Sequence, residues 1–323
     1  MPEAFWITSR EACALRQEEL PDAPDLVEVE TLYSGISRGT ENLVFQGRVP
    51  LGEHERMRCP FQGGDFPFPV KYGYAAVGRV VCGPDGLRGK SVFALHPHQD
   101  VFRVPADQLH ILPDGLPAKR AVLAANMETA LTIVWDAKAG PGDRITVVGA
   151  GVVGALAGWL ASKLPGADVT LVDLNPARKS LAATLGIPFA LPHDAPRDCD
   201  IVIHASASAA GLQTAIGLAG QEARVVEASW YGDRPVDIAL GGAFHSRRLH
   251  LVSSQVGAIP PDRRVRWDYA RRLGVALKLL AGNNALDALI SGETAFADMA
   301  DDYPRILADQ ATLCHRIRYS TND

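Results

Sequence analysis

Two hydrophobic rhythms divide this chain. In its first hundred or so residues apolar positions form short runs or alternate with period two. Phe5-Trp6-Ile7 is a short apolar strand, and Leu26 to Tyr33 alternates as a half-buried strand does. Tyr74 to Val81, Ser91 to Leu95 and Val101 to Val104 continue in that manner between Gly and Pro turns, which predicts a small antiparallel barrel. A short helix is predicted after Glu41, followed by an irregular segment to Tyr72 rich in Gly, Pro and aromatic residues. Long ordered loops of this kind line sites. From Pro117 to Ala139 the spacing turns helical, through Ala121, Ala124, Ala125, Thr129 and Ile133. The rhythm then changes: strands at 144–149, 169–173, 200–204 and 223–227 alternate with helical stretches starting near 152, 176 and 208, the signature of a doubly wound parallel sheet. Leu249 to Val256 is a further apolar strand, and a helix runs from Val265 to about Ala281. The tail past Gly282, with a helix near 297–308 and a strand near 314–319, is expected to return to the first domain. The fold class is therefore α/β, with residues 1–118 and 283–323 as one domain and 119–282 as the other.

The junction Thr146-Val147-Val148-Gly149-Ala150-Gly151-Val152-Val153-Gly154 gives the second domain its chemistry. An apolar strand enters a Gly-x-Gly-x-x-Gly turn and an alanine-rich helix leaves it. Gly149 permits the turn, Gly151 lets the backbone approach a pyrophosphate, and Gly154 lets helix pack closely on strand. The amides of Val152 and Val153, at the helix start, face the anion. Asp173 ends the next strand 19 residues past Gly154, where a ribose-binding carboxylate belongs. A dinucleotide is the expected cofactor, and a carboxylate that accepts from both ribose hydroxyls and repels a 2′-phosphate favours NAD, with NADP left open by Arg178 at the following helix start. Ala205-Ser206 and Ser229-Trp230-Tyr231 follow later strands at the carboxyl edge of the sheet, so Ala205 and Ser229 are expected to flank nicotinamide and Trp230 and Tyr231 to line a substrate pocket. Thr129 on the linking helix joins the candidate cofactor contacts.

Charge and cysteines narrow the class. With 32 basic and 37 acidic residues the net charge is −5, and acids such as Asp262 and Asp268 interrupt the arginine clusters Arg263-Arg264 and Arg271-Arg272, so no nucleic-acid partner is expected. No uninterrupted apolar segment approaches the roughly 18 residues of a membrane span, and Met1-Pro2-Glu3-Ala4 does not open a signal peptide; a cytoplasmic protein with no membrane partner is expected. The five cysteines, Cys13, Cys59, Cys82, Cys199 and Cys314, lie far apart and support neither a disulfide framework nor a Cys-x-x-Cys zinc site.

This arrangement, with its linking helix and C-terminal return, resembles the medium-chain dehydrogenase/reductase superfamily over essentially the whole chain. The resemblance implies a GroES-like β-barrel catalytic domain beside a Rossmann NAD(P)-binding domain. Zinc alcohol dehydrogenases of that superfamily carry Gly-x-Cys after the second long strand, Gly-His-Glu before a Gly-x-Val strand, and a third ligand near the linking helix. Here Gly35-Ile36-Ser37 has serine for cysteine, Gly73-Tyr74-Ala75 has tyrosine and alanine for His-Glu, and Ala125 occupies the third place. The four-cysteine lobe of structural zinc is also missing, because Leu95-His96-Pro97-His98-Gln99-Asp100 runs directly into the next strand. Neither catalytic nor structural zinc is expected. His96 and His98, with no third donor nearby in sequence, read as surface or hydrogen-bonded histidines. Tyr33-Ser34-Gly35-Ile36-Ser37-Arg38-Gly39-Thr40-Glu41 followed by Gly47-Arg48-Val49-Pro50 is similar to the signature of the bacteriochlorophyllide 3-hydroxyethyl dehydrogenase branch, over some fifteen residues.

Without zinc, a hydroxyl donor has to serve the developing oxyanion. Tyr74, standing where a ligand would, is the first candidate, with Ser37 and Glu41 as its neighbours and Arg38 as a pyrophosphate contact implied by the resemblance. The reading is a zinc-independent NAD(P)-dependent oxidoreductase acting on a carbonyl or secondary alcohol. An enoyl or quinone reductase of the same fold and a non-catalytic NAD(P)-binding sensor remain as alternatives. Gly35-Ile36-Ser37-Arg38-Gly39 also satisfies the Gly-x-Ser-x-Gly of hydrolases, but it precedes every βα unit, whereas that elbow belongs inside a parallel sheet. The strand Leu249–Val256 is expected to join two copies edge to edge as a homodimer.

Overall fold

A computed structural model of the chain describes residues 1–320, in two compact units: Met1–Ala125 together with the chain from Leu273 onward, and Asn126–Arg272. The first unit is built on the twelve-residue strand Leu26–Ser37. Its early residues alternate, with Val27, Val29 and Thr31 turned inward. That strand pairs antiparallel with Ala76–Cys82 and Val101–Pro105 and, at its far end, with Cys314–Arg318, where Ser37 faces Cys314. The C-terminal strand is thus bound into the sheet that the N-terminal residues begin. Ile290–Ala295 completes that side parallel to Cys314–Arg318, and Ser91–Ala94 and His110–Ile111 complete the other, making seven strands. A second sheet of four strands runs Ala12–Gln17, Glu3–Ser9, Val70–Lys71, Gly63–Gly64. The last two have two residues each and lie in the segment where sequence pattern predicts only loop.

Several elements depart from the sequence expectation: the helix expected from Val265 starts at Tyr269, the strand expected over Leu249–Val256 spans His250–Ser253, and two more differ near the junctions. The helix predicted from Pro117 to Ala139 is two helices, Ala118–Ala121 and Ala124–Ala137, divided at the fully buried Val122 and Leu123 by an i to i−3 bond from Leu123 N–H to the Arg120 carbonyl. Helical periodicity of alanines does not register such a break. The strand predicted from Tyr74 begins at Ala76, because Gly73 takes φ +133° against His98 and turns the chain just ahead of it.

The second unit is a six-stranded sheet, parallel throughout, in the order Phe189–Ala190, Asp168–Val172, Arg144–Val148, Cys199–His204, Ala219–Glu227, His250–Ser253. Its inner strands are apolar on both faces because helices cover both, and they therefore read as continuous Val/Ile runs. Val148, Val172, Val202 and Val225 share one core with Leu212 and Ile216 of the helix Ala209–Leu218. The register aligns the carboxyl ends in a row: Val148 faces Val172 and His204, His204 faces Glu227, and Glu227 faces Ser253. In open α/β sheets ligands bind at this edge. Among the described residues no helix is long and apolar enough to cross a membrane.

Candidate active site

In the second unit the three glycines of the turn do three different things. Gly149 takes φ +109°, and a Cβ there would stand 2.7 Å from the Ser206 amide nitrogen. A Cβ at Gly154 would collide with the Gly149 carbonyl, so strand and helix approach at a distance only glycine allows. Gly151 has nothing within 4 Å of where a side chain would be, leaving open space in front of the helix Val152–Ala161, whose first residues are Val152 and Val153. An open cradle at a helix start suits a pyrophosphate. Asp173, just past the strand Asp168–Val172, accepts from the Ala150 amide at 2.7 Å and the Asn175 amide at 2.8 Å, which ties the turn to the neighbouring strand end. Arg178 opens the helix Arg178–Leu185, and Thr129 lies in Ala124–Ala137. The residues present fit a nicotinamide dinucleotide.

Two strands along the same edge, polar groups gather that sequence pattern does not single out. His204 has no exposed side chain; its Nδ1 is 2.7 Å from Glu227 Oε2 and its Nε2 is 2.6 Å from Ser206 Oγ. Burial works against charge on Glu227, but the hydrogen bonds it accepts from His204 and Ser229 hold its carboxyl below the usual range. Tyr231 donates its hydroxyl to Glu227 Oε2 at 3.0 Å, and burial followed by the Glu227 charge raises its pKa. Ser229 Oγ accepts from the Ala207 amide at 3.0 Å. Of the sequence candidates, Ser229 is thus tied to the turn that Ala205 begins, while His204 and Glu227 are not among those candidates. The signal for both was present: each is the single charged or titratable residue closing an apolar run, Ile201-Val202-Ile203-His204 and Val225-Val226-Glu227.

In the first unit Ser37, Tyr74 and Glu41 come together. Ser37 ends the long strand at the N-cap position of the helix Arg38–Phe45, and Glu41 in its first turn, 1% exposed, reaches back to accept the Ser37 amide at 2.7 Å. Its other oxygen accepts from Tyr303 at 2.8 Å and lies 3.1 Å from His98 Nε2. His98 Nδ1 meets Ser34 Oγ at 2.7 Å, and Ser34 meets Tyr319 at 2.9 Å. Tyr74 shares hydrogen bonds with Ser37 and Thr40, and burial, then the Glu41 charge, raises its pKa, keeping the phenol protonated. Arg38 Nε bonds the Leu307 carbonyl at 3.1 Å within this unit. His96 is stacked between Phe61 and Phe102, with Nδ1 2.9 Å from the Pro97 carbonyl; burial lowers it to about 3. His96 and His98 are both buried, so of the two sequence readings for them the hydrogen-bonded one describes them and the surface one does not.

The donor set does not suit zinc. Ser37, Tyr74 and Ala125, at the positions the resemblance gives to ligands, bring no thiolate, imidazole or carboxylate. Among the described residues no three His, Cys, Asp or Glu side chains gather as a metal site.

No protein-family profile matches the chain. It is 25% identical over 327 aligned positions to D-guloside 3-dehydrogenase of Escherichia coli K12, covering 91% of this chain and 92% of that one. It is 27% identical over 313 positions to the 2-desacetyl-2-hydroxyethyl bacteriochlorophyllide A dehydrogenase of Rhodobacter capsulatus, covering 90% and 88%. Among solved structures, a short chain alcohol dehydrogenase from E. coli CFT073 complexed with NADH matches with a TM-score of 0.77 at 16% identity, over 99% of each chain.

Proposed function

We propose that this chain, a member of the zinc-type alcohol dehydrogenase-like medium-chain dehydrogenase/reductase superfamily, is an NAD(P)-dependent oxidoreductase that works on a carbonyl or secondary alcohol without zinc. The carrying observation is the Gly149–Gly154 turn, open at Gly151 and closed at Gly154, with Asp173 at the end of the next strand. Nicotinamide, when bound, supplies or accepts the hydride. The chain's own residues do the rest. The amides of Val152 and Val153 complement the pyrophosphate, with Arg38, Arg178 and Thr129 as further candidate contacts, and Ala205 and Ser229 are assigned to the nicotinamide end. Asp173 accepts from ribose hydroxyls, and its charge disfavours a 2′-phosphate, which supports NAD over NADP.

Tyr74 is assigned the proton-donor role. A phenol that burial keeps neutral can donate to an oxygen gaining negative charge, the service zinc gives in relatives that hold it. Ser37 orients that phenol, and Glu41 fixes the strand end that carries Ser37. The relatives' names, a guloside 3-dehydrogenase and a hydroxyethyl bacteriochlorophyllide dehydrogenase, favour an alcohol as the reduced substrate over an alkene or quinone. Protein assayed with NAD against secondary alcohols of sugars, polyols and hydroxyethyl arenes, and with NADH against the matching ketones, is expected to change nicotinamide absorbance with at least one. NADH binding without turnover on alcohols, aldehydes, enones or quinones would contradict the reading.

A further inference from the structure

Glu227, His204 and Ser206 stand in line as carboxylate, imidazole and hydroxyl, at 2.7 and 2.6 Å, within the second unit. We propose that Ser206 is an activated nucleophile, with His204 as its base and Glu227 as the positioning carboxylate, and that the site takes activated esters and related acyl or phosphonyl electrophiles. Four features support this. With Glu227 ionised, it accepts Nδ1–H and leaves the Nε2 lone pair facing the Ser206 hydroxyl, the tautomer a general base requires. His204 is fully buried while Ser206 is exposed, so the base is shielded and the nucleophile accessible.

Ser206 also lies in the turn between the strand Cys199–His204 and the helix Ala209–Leu218, and the next residue, Ala207, takes φ +52°. A sharp strand-to-helix turn at the carboxyl edge of a parallel sheet is where nucleophile elbows occur, and Gly35–Gly39 has no such setting. Finally, a Cβ at Gly211 would collide with Ser206 Oγ and stand 2.7 Å from His204 Nε2, so this glycine keeps open the space in which hydroxyl meets imidazole. Ser206 Oγ therefore sits over the first turn of a helix whose positive end favours negative charge developing there. Ser208 Oγ, 3.0 Å away, caps the same turn by accepting the Gly211 amide at 3.0 Å.

An ester would react in two steps. The Ser206 Oγ–acyl bond forms as the acyl–alkoxy bond breaks, the hydroxyl proton passes to His204 Nε2, and from there it goes to the departing alkoxide. Water, deprotonated by His204, then cleaves the acyl-serine and returns the free hydroxyl. The acyl-transfer step uses neither hydride nor Tyr74, so it is tested on the chain without nicotinamide, whose proposed end lies at the adjoining Ala205 and Ser229.

The test is labelling of the full chain with a fluorophosphonate probe, read by peptide mass spectrometry. Label is expected on Ser206 in the wild type, absent there from Ser206→Ala, and slowed by about 10²-fold or more in His204→Gln and Glu227→Gln variants that still unfold cooperatively. Hydrolysis of p-nitrophenyl acetate should be lost with the label. Folded wild-type protein that takes no label at Ser206, or His204→Gln labelling at the wild-type rate, would overturn it.

Discussion

At Tyr74 a phenol stands where the resemblance puts an imidazole, and its neighbours decide what it can do. Hydrogen bonds with Ser37 and Thr40 orient it, while burial and the Glu41 charge keep its proton on. It is therefore a donor at neutral pH and a poor base. Tyr74→Phe is expected to lower kcat by about 10²-fold while leaving NADH affinity unchanged, measured by steady-state kinetics and NADH fluorescence titration. An unchanged kcat would move the donor role to another residue. His96 offers a test of burial. Its folded-state pKa of about 3 lies below the usual 6.5, so the unfolded chain binds the extra proton first as pH falls. Stability from this neutral ring is complete above pH 6.5 and is lost as pH falls toward 3. Replacing it in the Phe61–Phe102 stack by His96→Phe should flatten the pH dependence of unfolding across that window, as followed by denaturant midpoints. A slope equal to wild type would mean the ring is not buried neutral. Tyr74, Ser37 and Glu41 were legible as neighbours because they flank two motifs. Tyr303, Tyr319 and His98, which complete the buried network around Glu41 and Ser34, were not, since they reach it from a helix, the end of the last strand and a loop, dozens to hundreds of residues away.

The glycine turn was readable at the scale of elements because it is a local device: strand, turn and helix follow one another in sequence, nearby atoms enforce glycine at Gly149 and Gly154, and Gly151 leaves the space in front of the helix open. Gly154→Ala, whose Cβ meets the Gly149 carbonyl, is expected to destabilise by about 1–3 kcal/mol and to weaken NADH binding, because turn and helix must separate. Gly217→Ala is the control: it has nothing within 4 Å, lies in the helix Ala209–Leu218, and should stabilise by about 0.5–1 kcal/mol. Equal melting temperatures for the two variants would contradict this steric account. The parallel strands were legible for a related reason, since burial on both faces writes an unbroken apolar run. The two-residue strands Gly63–Gly64 and Val70–Lys71 were not, because their pairing partners, and not their own composition, make them strands. The His204–Glu227 pair belongs to the same class of information. It arises from the register between Cys199–His204 and Ala219–Glu227, and no spacing within either segment announces it.

For the molecule as a whole, the sheet of the second unit ends on His250–Ser253, a strand exposed along much of its length, with Leu251 at 38%. A sheet edge of this kind is a seam for a second copy, and we propose that it joins two copies as a homodimer. Sedimentation at micromolar concentration should give twice the chain mass, and Leu251→Lys should shift it toward monomer; wild-type monomer alone would refute the assignment. The claim that most defines the protein is hydride chemistry on a dehydrogenase scaffold whose ligand positions hold Ser37, Tyr74 and Ala125. The direct measurement is the zinc content of the purified enzyme set against its NAD-dependent turnover before and after chelation. Well under one zinc per chain is expected, with a rate that chelation does not change. Stoichiometric zinc, with activity lost on its removal and restored on its return, would contradict it.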